Sequence, residues 1–156
     1  MPKGVKIGRS FEDFMLFLEE NPSTNYVEMD TVIGRIGGKV IMTFQFVNVD
    51  FMFGLLLDNK TAAEAARKIR ELKERLCAYK LKFGEVFPVL LTDNGGEFSD
   101  VFAFENGLDE QQETRMFFCD QTLHTKSLTL KTTTPYSEEL LKQVLLSMIG
   151  RRITSI

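Results

Sequence analysis

Residues 10–20, SFEDFMLFLEE, set Phe11, Phe14, Met15 and Leu18 at i, i+3, i+4 and i+7, one apolar stripe that predicts a short helix. Ser10 is placed to cap it, Glu12 and Asp13 favour its first turn, and Asn21-Pro22-Ser23 ends it. Three strand-like runs follow, at Tyr26–Ile33, Lys39–Val47 and Phe51–Asp58. Their links, Gly34-Arg35-Ile36-Gly37-Gly38 and Asn48-Val49-Asp50, are too short for crossovers and predict antiparallel hairpins. Along TAAEAARKIRELKERLCAYKLKFG the period becomes helical. Ala62, Ala65, Ala66, Ile69, Leu72, Leu76 and Tyr79 share one face, Thr61 and Glu64 match a capping box, and Gly84 is the expected stop. Val86–Thr92 then predicts a fourth strand, Phe98–Phe104 a short helix, and Met116–Cys119 a fifth strand.

A helix between strands of one sheet implies a crossover and a parallel neighbour. The expected fold class is therefore α/β, with a mixed sheet of three antiparallel strands followed by parallel ones. That order matches a ribonuclease H-like fold.

The bulk composition narrows the function. With 156 residues, one domain is expected. No apolar run is long enough to span a membrane, and MPKGVKIGRS lacks the apolar core of a secretory signal. Cys77 and Cys119 stand apart, as suits a reducing cytoplasm. The net charge of −3 argues against a basic footprint over the whole surface, though one basic face remains open.

The candidate chemistry lies in two carboxylates. Alternation within YVEMDTVI places Glu28, Asp30 and Val32 on one face and Val27, Met29 and Thr31 on the other. Asp93 ends the fourth strand in PVLLTDNGGEFS. If that strand runs parallel beside the first, Asp30 and Asp93 converge, and like charges held close need a counter-ion or a proton. Mg²⁺ suits such a pair, because it takes one or two carboxylates together with water and phosphate. The plain alternatives stay open: a solvated strand aspartate, and an ordinary turn at Asn94-Gly95-Gly96, whose glycines would admit substrate or backbone closely.

EMDTVIGRIGGK, FQFVNVDFMFGLLLDNKTAAEA and FPVLLTDNGGEFSDVFAFEN together resemble the catalytic core of DDE transposases and retroviral-type integrases, in particular bacterial insertion-sequence transposases. The resemblance runs over residues 4–120. It implies a ribonuclease H-like fold and two-metal phosphoryl transfer with Mg²⁺ or Mn²⁺. Asp30 and Asp93 match the first two acids of the family's triad, as catalytic and metal-binding residues. Asn94, Gly95, Gly96 and Glu97 would shape the turn and the surroundings. Water would cut a DNA strand at the element's end, and the freed 3′-hydroxyl would attack target DNA. The implied partners are mobile-element ends, target DNA and further copies of the chain, with no membrane, in a bacterial cytoplasm.

The third acid departs from the family pattern. That glutamate belongs on a helix downstream of the second aspartate, yet Asp120 is the only acidic residue between Glu113 and Glu138, and residues 121–134 read QTLHTKSLTLKTTT. The third ligand is unknown. We therefore divide the chain into a linker and short helix over 1–25, a core over 26–120, and a divergent tail over 121–156.

A slipped reading frame after Asp120 would explain the tail. Take the third base of each codon with the first two of the next. Synonymous codons from Asp120 to Lys126 permit Pro-Asn-Ala-Pro-Tyr-Gln, those from Leu130 to Thr134 permit Glu-Asn-His-His, and those from Gln143 to Met148 permit Gly-Thr-Ser-Phe-Asp. All three are similar to the family's continuation. The expected result of reading the gene is codons that encode these segments in the shifted frame; codons that forbid them exclude the slip. The alternative is a genuine helix from Ser137, with Leu140, Leu141, Val144, Leu145 and Met148 on one face and Arg151-Arg152 at its end. On the resemblance, a helix-turn-helix module would precede this chain, and the chain alone is expected to show little or no strand transfer. The competing function is a non-catalytic ribonuclease H-like module that acts through protein contacts.

Other features carry less. Gly34 to Lys39 lacks phosphate-loop spacing and reads as a hairpin turn. His124 stands alone. Residues 61–82 hold seven basic residues against three acidic, with Lys68, Arg75 and Lys82 on one stripe, either solvated or touching DNA backbone. Phe44, Phe46, Phe51 and Phe53 are expected in the core.

Overall fold

The computed structural model describes residues 3–35, 37–47, 49–120 and 137–149. Helix α1 (Phe11–Glu20) begins with a complete capping box, in which Ser10 Oγ accepts from Asp13 N–H and the Asp13 carboxylate accepts from Ser10 N–H at 2.9 Å. Strands β1 (Val27–Ile33), β2 (Val40–Phe46) and β3 (Phe51–Leu57) form an antiparallel meander. Helix α2 (Ala62–Ala78) and the short helix α3 (Phe83–Val86) lead to β4 (Val89–Thr92), which pairs parallel with β1. A 3₁₀ turn (Gly96–Phe98) and helix α4 (Val101–Glu105) lead to β5 (Arg115–Phe118), parallel to β4. Helix α5 spans Glu138–Ile149. The sheet order is β3-β2-β1-β4-β5, so the chain is α/β with a five-stranded mixed sheet.

Hydrophobic side chains pack on both faces of that sheet, although Val32, Ile41, Met52 and Leu56 of the meander are exposed. On one side Val27, Met29, Phe44, Phe46 and Leu90 pack with Ile69, Leu72 and Leu76 of α2. Phe44 stacks on Phe53 at 4.8 Å between centroids, and Phe87 closes on both Phe44 and Phe46, as expected of core rings. On the other side Tyr26, Val89, Leu91 and Phe117 pack with Phe14 and Leu18 of α1. Arg9 binds both carboxylate oxygens of buried Glu105, whose Oε1 also accepts from Met116 N–H, fastening the N-terminal segment to α4 and β5.

Several boundaries differ from the sequence reading. Helix α2 stops at Ala78 because Lys80 adopts a left-handed φ of 59°. Leu81 N–H then reaches Leu76 O and Lys80 N–H reaches Cys77 O, the two bonds of a Schellman cap. Tyr79 is accordingly exposed. Gly84 lies inside α3, where a Cβ would stand 2.1 Å from Glu113 O. The residues of α3 shorten the fourth strand to Val89–Thr92. At the start of α2, Thr61 Oγ1 accepts from Glu64 N–H as expected, but the Glu64 carboxylate turns to Asp58 N–H and Arg67 instead of returning to the cap. Those bonds hold the Glu64 carboxyl down at about 2. The expected helix at Phe98–Phe104 is split between the 3₁₀ turn and α4.

The basic stripe also dissolves. Lys82 lies beyond α2, at the start of α3, and Lys68 pairs with Glu71 at 3.3 Å. Arg67 and Arg70 pair with acids on their own helix, and Lys73 is buried. The antiparallel pairing of Ile33 with Val40 makes a hairpin of β1 and β2, as the spacing predicts, and Lys39 pairs with Asp58.

Ser137 Oγ accepts from Leu140 N–H at the start of α5, and Val144 enters the core beside α2. The residues on which His124, Arg151-Arg152 and most of the shifted-frame reading rest lie outside those described.

Candidate functional site

Strand β4 is short and buried throughout, and it delivers Asp93 at its carboxyl end. The parallel register pairs Val27 with Leu90, Glu28 with Leu91 and Met29 with Thr92. Asp30 and Asp93 are the next residue on each segment, one step past that last pair. Alternation assigns both to the same face. Glu28 lies on it beside Leu91, which packs toward α1, whereas Met29 belongs to the core beneath α2. Alternation returns Asp30 and Asp93 to the α1 side. Asp30 is exposed and Asp93 is 7% exposed.

Local backbone groups orient both carboxylates. Thr31 N–H donates to Asp30 Oδ1 at 2.7 Å, and Gly95 N–H donates to Asp93 Oδ1 at 2.9 Å. The turn is braced on both sides. Asn94 Nδ2 donates to Asp120 Oδ1 at 2.8 Å, next to the end of β5. On the opposite face Thr31 Oγ1 donates to Glu97 Oε1 at 2.6 Å, with Lys60 Nζ 3.6 Å from the same oxygen. Glu97 is 2% exposed, so its part is internal rather than in the outer electrostatics expected of it.

The two glycines of the turn are unequal. A Cβ on Gly95 would lie 2.6 Å from Glu97 Oε2, whereas Gly96 faces open space. Close approach is thus real at Gly95, and the group that approaches is Glu97.

Acidic charge gathers along this edge. Cys119 donates N–H to Thr92 O and lies within the field of Glu28, Asp93 and Asp120. Burial first, and those charges second, push its thiol up to about 11, so it is a protonated core group rather than a nucleophile. Cys77 and Cys119 are both free thiols.

Two carboxylates carried on neighbouring strands are the kind of donor a hard cation takes while completing its shell with water and phosphate. Among the described residues no three His, Cys, Asp or Glu side chains gather as a metal-binding group, so the third ligand is still unassigned. The sequence singled out Asp30, Asp93 and the turn, but it missed Thr31, Lys60 and Asp120 as supports. Alternation points Thr31 away from Asp30, and only the turn's return beneath β1 brings Glu97 to it. No protein-family model and no curated protein matches this chain.

Proposed function

We propose that the chain is the catalytic-core part of a DDE-type DNA transposase with a ribonuclease H-like sheet, acting on mobile-element ends and target DNA. The observation that carries this reading is the parallel pairing of β1 with β4, whose register ends at Met29–Thr92, one residue before Asp30 and Asp93. The motifs over residues 4–120 support it.

Asp30 and Asp93 would hold Mg²⁺ or Mn²⁺. Bound there, such ions supply charge stabilisation to the attacking and leaving oxygens of an in-line phosphoryl transfer. The protein's share is positional. Thr31 N–H and Gly95 N–H each hold one carboxylate oxygen, Asp30 Oδ1 and Asp93 Oδ1. With no third acid beside them among the described residues, the chain alone is expected to show little or no strand transfer.

The test is Mn²⁺ titration of the full chain followed by electron paramagnetic resonance, with circular dichroism to verify folding. Asp30→Asn and Asp93→Asn are each expected to weaken Mn²⁺ binding by roughly tenfold or more, about 1.4 kcal/mol. Equal binding by all three proteins would instead favour a non-catalytic ribonuclease H-like interaction module, the reading that the missing third acid supports.

A further inference from the structure

We propose that Glu97 is a positioning residue that sets both metal-facing carboxylates at once, through Thr31 and Gly95, with Lys60 as its counter-charge. This rests on the reading of Asp30 and Asp93 as a metal-binding pair.

The β1–β4 register runs from Val27–Leu90 to Met29–Thr92. Asp30 and Asp93 lie just past its last pair, where backbone pairing no longer fixes one segment against the other. The Thr31–Glu97 hydrogen bond, at 2.6 Å, ties the two segments at that point. It comes from behind, because Thr31 points to the face opposite Asp30. The residues that Glu97 touches are the same two whose N–H groups orient the acids. Its Oε1 accepts from Thr31 Oγ1, and Thr31 N–H holds Asp30 Oδ1. Its carboxylate lies against Gly95, so closely that a Cβ there would have to push it aside, and Gly95 N–H holds Asp93 Oδ1.

Burying a carboxylate is costly without compensation. Glu97 is 2% exposed, and its compensation comes from the Thr31 hydroxyl and from Lys60 at 3.6 Å, in the link between β3 and α2. A group that served only to close a turn would not need charge. Here the charge draws Lys60, β1 and the turn to one point.

The experiment measures Mn²⁺ affinity of the full chain together with its thermal midpoint. Thr31→Val keeps the side chain's shape and β preference but removes the hydroxyl, and is expected to weaken Mn²⁺ binding roughly tenfold, the usual scale for loss of a supporting partner. Thr31→Ser is expected to bind within about twofold of the parent, because it retains the donor. Gly95→Ala, which expels the Glu97 carboxylate, should lose affinity like Thr31→Val, whereas Gly96→Ala should bind like the parent. This glycine pair also decides the matter if Thr31→Val fails to fold. Should Thr31→Val and Gly95→Ala bind Mn²⁺ as the parent does, with only their melting shifted, while Asp93→Asn loses tenfold, Glu97 is structural and this proposal falls alone. Should Asp30→Asn and Asp93→Asn also bind unchanged, the metal-pair reading falls with it.

Discussion

Gly84→Ala is expected to lower the stability of the chain by about 3 kcal/mol, the upper range for forced overpacking. A Cβ at this position would meet Glu113 O at 2.1 Å and Glu113 C at 2.8 Å, both backbone atoms that no rotamer change can move aside. The helix cannot simply shift away. Phe83 and Val86 on either side are buried in the core, and Gly84 N–H donates to Glu113 Oε2 at 3.2 Å. The strain would therefore spread into the segment before β5 and into the seat of Phe87 against Phe44 and Phe46. Urea unfolding followed by circular dichroism reads the effect as a lower midpoint at unchanged slope. A midpoint equal to the parent's would show that the two backbones do not approach this closely.

Lys73→Met is expected to cost about 2 kcal/mol at neutral pH, and more as the solution becomes alkaline. The lysine is 6% exposed, donates Nζ–H to both Ala103 O and Asn106 O, and sits 5.0 Å from the centre of the Phe83 ring. Methionine preserves the length but leaves those carbonyls without their donor. Burial lowers the ammonium's pKa to about 8, against smaller opposing pulls from Glu113 and Asp100. Between pH 8 and the ordinary value of 10.5 the unfolded chain therefore binds more protons than the folded one. Stability contributed by this group rises across that window, while below pH 8 the full cost of the buried charge is present. The gap in unfolding free energy between parent and Lys73→Met should widen from pH 7.5 to pH 10. A constant gap would mean that the amine titrates alike in both states.

Much of this architecture was legible because periodicity reports burial. Phe14 and Leu18 of α1, Ile69, Leu72 and Leu76 of α2, and the strand phenylalanines were all placed by their spacing. The parallel pairing of β4 beside β1, on which the expected convergence of Asp30 and Asp93 rests, was legible from the helical crossover between them. What escaped depends on single backbone angles or on contacts distant in sequence. Lys80 offers no sign that it will turn left-handed, so the end of α2 was assigned to Gly84, a glycine kept for an approach to Glu113. Lys73 reads as one more cation on a solvated helix until Ala103 and Asn106 arrive to enclose it. Thr31 and Glu97 are 66 positions apart, and neither residue type announces the other.

The clasp between Asn94 and Asp120 has a last consequence, for modularity. Among the described residues all five strands are in place by Phe118. The clasp ties Asp120, two residues past β5, to the turn that carries Asp93. A segment grafted after that point must still supply the core contact that Val144 of α5 makes beside α2. Grafting a different downstream segment at position 121 is thus the natural way to ask what completes the site.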